Sequence, residues 1–284
     1  FSIGVDCVWA GERTFIEGRD RWFTWLPPEG DPLARFYSDV KGVHSGPIRA
    51  GRGFDFASAN LQRKYGPDFF TAYRDSALAR LRHWGFNTIA NWSDHRLWES
   101  KRIPYTATGG VGGSHKRLAS GSDYWGKMHD PFDPQFAEDA DRSLRDLCRY
   151  RKGDPWCIGY FVDNELSWGG DGDRLRYGLA LGALRAGADQ PAKRAFIERL
   201  QGRYESVERL NAAWGTQVAS WDALEQQPLE MKGPLSDVVK VDLGAFVQAF
   251  ATKYFTVVRD TLRKYDPDHL YLGCRFAWAS PEAV

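Results

Sequence analysis

Residues 157–168 read CIGYFVDNELSW, and this stretch decides the fold. Cys157, Ile158, Tyr160, Phe161 and Val162 are the residue types of a strand buried on both faces, as in a parallel sheet covered by helices. Asp163, Asn164 and Glu165 arrive where such a strand emerges, with Trp168 just after them. In α/β folds, side chains at the C-terminal ends of parallel strands reach the ligand site. The stretch therefore predicts a buried parallel strand with a site at its end.

The same pattern recurs on both sides. FSIGVDCV (1–8) reads as a buried opening strand. Asp68 behind Pro67 is a candidate N-cap for a helix whose apolar stripe is Phe70, Ala77, Leu78, Leu81 and Trp84, ending at Gly85. A second strand follows over 86–91, and IPYTA (103–107) reads as a short third. Helix character at 134–150 leads into the fourth strand, CIGYFVD. Residues 190–215 and 236–265 read as helical, the latter with Leu243, Phe246, Val247, Phe250, Tyr254, Val257 and Val258 at i, i+3, i+4 spacing. Asp266 and Pro267 stop it, and LYLGCRFAW (270–278) is the fifth strand.

Strands alternating with helices imply right-handed parallel crossovers and an α/β fold, read here as a (β/α)8 TIM barrel with about the first five βα units present. Residues 9–67 are an excursion through Gly and Pro without sustained periodicity. Residues 108–130 read as a Gly/Ser-rich active-site loop that carries Tyr124 and Trp125. SPEAV (280–284) has the pattern of a helix start, so the chain is expected to be a segment of a longer protein.

Composition excludes several functions. With 43% hydrophobic and 26% charged residues among 284, the chain can bury a core, and 38 basic against 37 acidic residues leave a net charge of +1. No net field favours nucleic acid or an anionic membrane. No apolar run approaches the roughly 18 residues of a spanning helix and no signal segment opens the chain, so a soluble, mature or trimmed protein is expected. Cys7, Cys148, Cys157 and Cys274 are too scattered for a disulfide framework or a zinc site and read as free core residues. The six histidines, His44, His83, His95, His115, His129 and His269, show no HxH or HExxH pair. With no Walker glycines, dinucleotide fingerprint or GxSxG elbow, no metal or cofactor is expected. Twelve Trp residues suit a carbohydrate cleft, which needs flat apolar faces beside hydrogen-bonding groups.

The strand ends then supply the chemistry. Asp6; Asn91 with Trp92 and Asp94; Asn164 with Glu165; and Arg275 with Trp278 each close an apolar run. Glycoside cleavage needs one carboxylic acid to protonate the leaving oxygen and a second carboxylate about 5 to 5.5 Å away as nucleophile, or farther if water attacks directly. Glu165 suits the first role, and Asn164 can hydrogen-bond a sugar 2-hydroxyl. Asn91, Trp92, Asp94, Trp125, Trp168, Arg275 and Trp278 complete the candidate substrate-binding set. Asp163 alternates away from Asn164 and reads as a structural hydrogen-bonding residue.

FVDNELSWG, with GFNTIANWSD, GVDCV, NLQRKYG and RYESVERLNAAWGTQVASWDAL, resembles glycoside hydrolase family 50, the β-agarases, within the retaining (β/α)8 glycosidases. The last tract also resembles the family 42 β-galactosidases, which usually continue their Asn-Glu with Tyr-Gly where this chain has Leu166-Ser167. The resemblance spans nearly the whole chain. It implies that residues 1–284 are one catalytic barrel, that Glu165 is the general acid/base beside Asn164, and that a secreted or periplasmic enzyme cuts agarose-type galactan to neoagarobiose-type products with retention. It also implies a nucleophilic Glu at the end of a seventh strand. The strand count stops after the fifth, so that residue is expected beyond Val284. Two other readings stay open: a β-galactosidase acting on short oligosaccharides, and a non-catalytic barrel that grips sugar through Trp92, Trp168 and Trp278.

Overall fold

The computed structural model describes residues 1–43 and 46–284, so His44 lies outside the described residues. The chain packs as two compact units, Phe1–Thr106 and Ala107–Val284.

In the first unit, β1 (Gly4–Val5) pairs in parallel with β2 (Thr88–Ile89), Gly4 opposite Thr88 and Val5 opposite Ile89. β2 pairs in parallel with β3 (Tyr105–Gly109), Ile89 opposite Tyr105, and β3 continues into the second unit. These ladders are shorter than the apolar runs that predict them. Cys7 at φ 57° and Trp92 at φ 57° turn the backbone out of the extended region just past each strand. The third strand begins two residues later than the run 103–107 suggests, because Pro104 has no N–H to give to a ladder.

The excursion over 9–67 is better ordered than its sequence suggests. Arg13–Phe15, Gly51–Asp55 and Tyr37–Val40 form an antiparallel sheet with Gly51–Asp55 in the middle, and the fully buried Phe54 and Ile16 pack with Leu33 and Ala59 beneath it. Asp55 ends that strand and caps the helix Phe56–Tyr65 by accepting from Ser58 N at 2.8 Å. Asp68 does not cap the next helix, Phe69–His83: it stands at the N-cap position with φ −94° and ψ 33° and its side chain takes no cap bond. Leu78 and Leu81 bury the helix's inner face, whereas Trp84 is exposed beyond its end.

In the second unit, β4 (Cys157–Asn164) and β5 (Leu270–Arg275) pair in parallel, from Leu270 opposite Gly159 to Arg275 opposite Asn164. A Cβ at position 159 would stand 2.3 Å from Leu270 O, so only glycine admits this approach. Two helices, α1 (Pro134–Cys148) and α2 (Asp237–Tyr265), pack against each other. The predicted helical stretch 190–215 is two helices, Pro191–Tyr204 and Val207–Trp214, broken at Glu205 with φ 62° and restarted by the Ser206 cap. Phe136, Leu144, Trp168, Phe196, Phe246, Phe250 and Tyr254 form much of the core.

Cys148, Cys157 and Cys274 are buried thiols, but Cys7 is exposed, because the left-handed turn at the end of β1 carries it out of the strand. The loop 108–130 contains a short antiparallel pair, Arg117–Leu118 with Met128–His129. The result is an α/β fold with a parallel sheet, and no closed barrel forms among the described residues. No helix among them is long and apolar enough to cross a membrane.

Candidate active site

The end of β4 departs from regular strand geometry. Asp163 at φ 63° and Glu165 at φ 50° both occupy the left-handed region, on either side of Asn164. Such conformations cost about 1–3 kcal/mol each for residues other than glycine, so the surroundings must hold them. Glu165 N donates to Arg275 O at 2.7 Å. The Asp163 carboxylate accepts from Val111 N at 2.9 Å and from the Tyr254 hydroxyl at 2.6 Å, and His129 Nε2 stands 3.5 Å from it. One buried side chain thus fastens the strand end to the loop and to α2.

Held this way, Glu165 lines a cleft of about 390 Å³ whose wall includes Gly110, Arg117, Trp125, Lys127, His129 and Asn164. The Glu165 carboxylate accepts from the Trp125 indole N–H at 2.8 Å. Trp125 and Tyr124 are 62% and 71% exposed and meet edge to face, which presents solvent-exposed aromatic surface beside the carboxylate. Ser167 ties the loop to the strand end by donating to Gly126 O at 2.6 Å. Asn164 Oδ1 is buried and accepts no hydrogen bond. A carboxylate, an amide acceptor and exposed rings over a cleft suit a polyol rather than an apolar ligand.

Behind the wall lies a row of buried polar groups. Asp139 accepts from both the backbone N–H of His115 and its ring Nδ1, at 3.0 and 2.7 Å, and His115 Nε2 stands 2.6 Å from His129 Nδ1. Burial alone would raise the Asp163 carboxyl, but the His129, Tyr254 and Val111 donors outweigh it and hold it below the usual carboxylate range. Asp139 is likewise held low against the desolvation that would raise it, chiefly by His115.

The predicted site residues divide into groups. Trp125, Asn164 and Glu165 come together in the cleft. Arg275 is the register partner of Asn164 on β5, and Trp278 donates its indole N–H to Asp171 at 2.8 Å and lies close over Gly169. Trp168 is not available to a sugar: it is 1% exposed and stacks on Phe255 at 5.6 Å, so it is a core residue. Asn91, Trp92 and Asp94 belong to the first unit. Asn91 is buried and accepts from the Thr106 hydroxyl, while Trp92 is 45% exposed. Asp94 is spent within the protein, since it caps the short helix His95–Trp98 and accepts from the Arg96 backbone and guanidinium. Sequence reasoning missed Arg117, Lys127 and His129. Only the register Arg117 opposite His129 brings them to the cleft, and no local pattern announces it.

A carboxylic acid at the end of a parallel strand, an amide beside it and exposed aromatic faces are groups that glycoside cleavage uses. Residues 125–273 match the family model Glyco_hydro_42, described as beta-galactosidase, and the chain belongs to that glycoside hydrolase family. It is 42% identical to Beta-agarase B of Vibrio sp. (strain JT0107) over 94% of this chain and 29% of that protein. A structure of an exo-beta-agarase superposes with a TM-score of 0.88 at 37% identity, covering 93% of this chain and 38% of that one. The structure of PfGH50B gives 0.86 at 35% identity, covering 93% and 38%. These likenesses support placing the chain in glycoside hydrolase family 50. The chain spans about 30% of the length of the curated relatives it matches.

Proposed function

We propose that this chain carries the acid/base half of the catalytic site of an agarose-degrading glycoside hydrolase of the β-agarase kind. The observation that carries the reading is Glu165, half-buried at the end of β4 with one carboxylate oxygen held by Trp125 in a cleft whose walls offer polar groups and exposed rings. Glu165 protonates the glycosidic oxygen as the bond to the leaving sugar breaks, and later takes the proton of the attacking water. Asn164, which lines the cleft beside Glu165, hydrogen-bonds the 2-hydroxyl of the sugar in the transition state. Trp125, with Tyr124, stacks on neighbouring sugar rings, and Arg275 and Trp278, at the end of β5, extend the binding surface. The beta-agarase relatives support the substrate class.

Retention requires a nucleophilic carboxylate about 5 to 5.5 Å from Glu165. The other carboxylate of the cleft wall, Asp163, is fully engaged by its donors and does not serve. The family resemblance implies that the nucleophile is a Glu on a later strand of a (β/α)8 barrel and that the products are neoagarobiose-type sugars released outside the cell. The beta-galactosidase family model favours one second reading, hydrolysis of short β-galactosides. Product analysis of the full-length protein on agarose, lactose and κ-carrageenan separates them. Neoagarooligosaccharides with retained configuration are expected from agarose, and hydrolysis of lactose alone would overturn the agarase reading.

A further inference from the structure

We infer that Arg117 and Lys127 form an anion-recognising wall of the Glu165 cleft, which takes a sulfate ester or a carboxylate carried by a galactan ring beside the bond to be cleaved. The inference rests on the proposed function for the identity of the sugar; the anion site itself does not depend on catalysis.

Charge placement carries it. Arg117, Trp125 and Lys127 line the same cleft as Glu165, and all three are exposed. The antiparallel pair Arg117–Leu118 and Met128–His129 sets Arg117 opposite His129 and leaves Lys127 one residue before the second strand. Arg117 Nη1 reaches Lys127 O at 3.5 Å, so the guanidinium lies toward the start of that strand. Two cations and an exposed indole thus share one short hairpin of the cleft wall.

The carboxylates nearby are committed to other donors. Asp123 accepts from the Ser120 backbone N–H and hydroxyl. Asp130 accepts from Gln190 and Ala192 N, Asp139 from His115 and Arg142, and Asp163 from Val111 N and the Tyr254 hydroxyl. Lys116, the neighbour of Arg117 in sequence, pairs with Asp189 at 2.6 Å, and Asp189 does not line the cleft. Among the described residues neither Arg117 nor Lys127 makes an ion pair. Glu165 accepts the Trp125 N–H, and in its acid role it carries a proton and no charge. The wall then holds two positive charges against the one buried charge of Asp163, and a neutral galactan supplies nothing to match them.

The two side chains also select the ligand. A guanidinium presents parallel N–H donors that fit two oxygens of a sulfate or carboxylate, and an ammonium adds a point charge. Both anions stay ionised at neutral pH. The wall is open to water, so screening limits each cation to an effect of a few-fold. A ring stacked on Trp125 brings such a substituent to the hairpin that carries both cations.

The test uses the full-length protein and galactan oligosaccharides of one length in three forms: neutral, singly sulfated, and carboxylated, with the anion on either ring flanking the scissile bond. In Glu165→Gln, whose amide mimics the protonated acid, calorimetry at low salt should show an anionic form bound about three- to thirtyfold more tightly than the neutral one. The advantage should shrink as ionic strength rises. Whichever anion gains more identifies the substituent. Arg117→Gln and Lys127→Gln, added singly, should each reduce the advantage about two- to fivefold, and together they should abolish it. Lys116→Gln removes one positive charge outside the cleft wall and should leave the advantage in place, which separates the wall from a long-range effect of net charge. Equal binding of all three forms, or an advantage that survives the double substitution, would overturn the inference. The first comparison needs no wall variant, so misfolding of one does not rescue the idea. An anion preference in a wild-type protein that hydrolyses no galactan would refute the proposed function and leave the anion site standing.

Discussion

Two strand ends in this molecule look alike in sequence and differ in what they do. After β2 come Asn91, Trp92 and Asp94; at the end of β4 come Asp163, Asn164 and Glu165. Each bends through the left-handed region, at Trp92 in one and at Asp163 and Glu165 in the other. In the first unit the carboxylate is consumed: Asp94 is 1% exposed and all its bonds go to the short helix it caps and to Arg96. At the end of β4 that consumption is delegated to Asp163, which frees Glu165 to face the cleft with one tether from Trp125. A carboxylate at a strand end is thus available for chemistry when a neighbour satisfies the local donors in its place.

The largest effect expected is on Glu165. Glu165→Gln keeps the shape of the side chain and loses the transferable proton, so turnover of natural galactan should fall by about 10²–10⁴ while binding stays nearly intact. Asp94→Asn should leave turnover within about twofold, because that carboxylate only caps and pairs. Near-wild-type turnover in Glu165→Gln, or an Asp94→Asn loss of comparable size, would erase the distinction between the two ends.

Stability should show the reverse emphasis inside β4. Asp163→Asn leaves Tyr254, Val111 and His129 facing a neutral amide in the core, and breaking a buried charged cluster costs about 3–5 kcal/mol. Asp94→Asn retains a good N-cap and loses only the pairing with a half-exposed Arg96, about 1 kcal/mol. The pH dependence follows. Burial would raise both carboxyls, but their partners outweigh it and hold each below its ordinary value near 3.8. A depressed carboxyl contributes stability that is complete above its unfolded pKa and is lost as pH falls through the folded one. Melting temperature should therefore drop below about pH 4 in the wild type, and the drop should be shallower in Asp163→Asn. Equal acid sensitivity in the two proteins would remove Asp163 as the fastening.

Much of this was legible because it is written in long, one-sided patterns. The buried runs around 157–164 and 270–275 and the i, i+3, i+4 stripe of α2 gave strands and a helix close to their observed bounds. Glu165 stood out because a fully apolar strand ends in carboxylates. The three-stranded sheet of the excursion was hidden, since strands of three to five residues leave no periodicity to read. Trp168 was misread as a binding residue because its burial depends on Phe255 and Tyr254 from α2, which no local window contains. His115 and His129 stayed invisible for a similar reason: an antiparallel pair of two-residue strands makes them neighbours.

The smallest effect expected is at the tether itself. Trp125→Phe keeps an aromatic face beside the cleft and removes only the indole N–H that Glu165 accepts at 2.8 Å. The bond is partly open to water, Trp125 being 62% exposed, so its loss should cost about 0.5–1.5 kcal/mol. That is roughly a two- to tenfold fall in kcat/KM. The fall should be the same for short and long galactan substrates, because the missing hydrogen bond touches Glu165, the proposed acid/base, and not the sugar chain. Trp125→Ala removes the face as well and should raise KM further for long substrates only. Side-by-side kinetics of both variants on oligosaccharides of increasing length separate the two contributions. If Trp125→Phe matches the wild type at every length, the tether does not position Glu165. If Trp125→Ala affects all lengths equally and lowers the melting temperature, Trp125 serves packing, as Trp168 does, and the contrast between an open and a consumed strand end narrows to Glu165 alone.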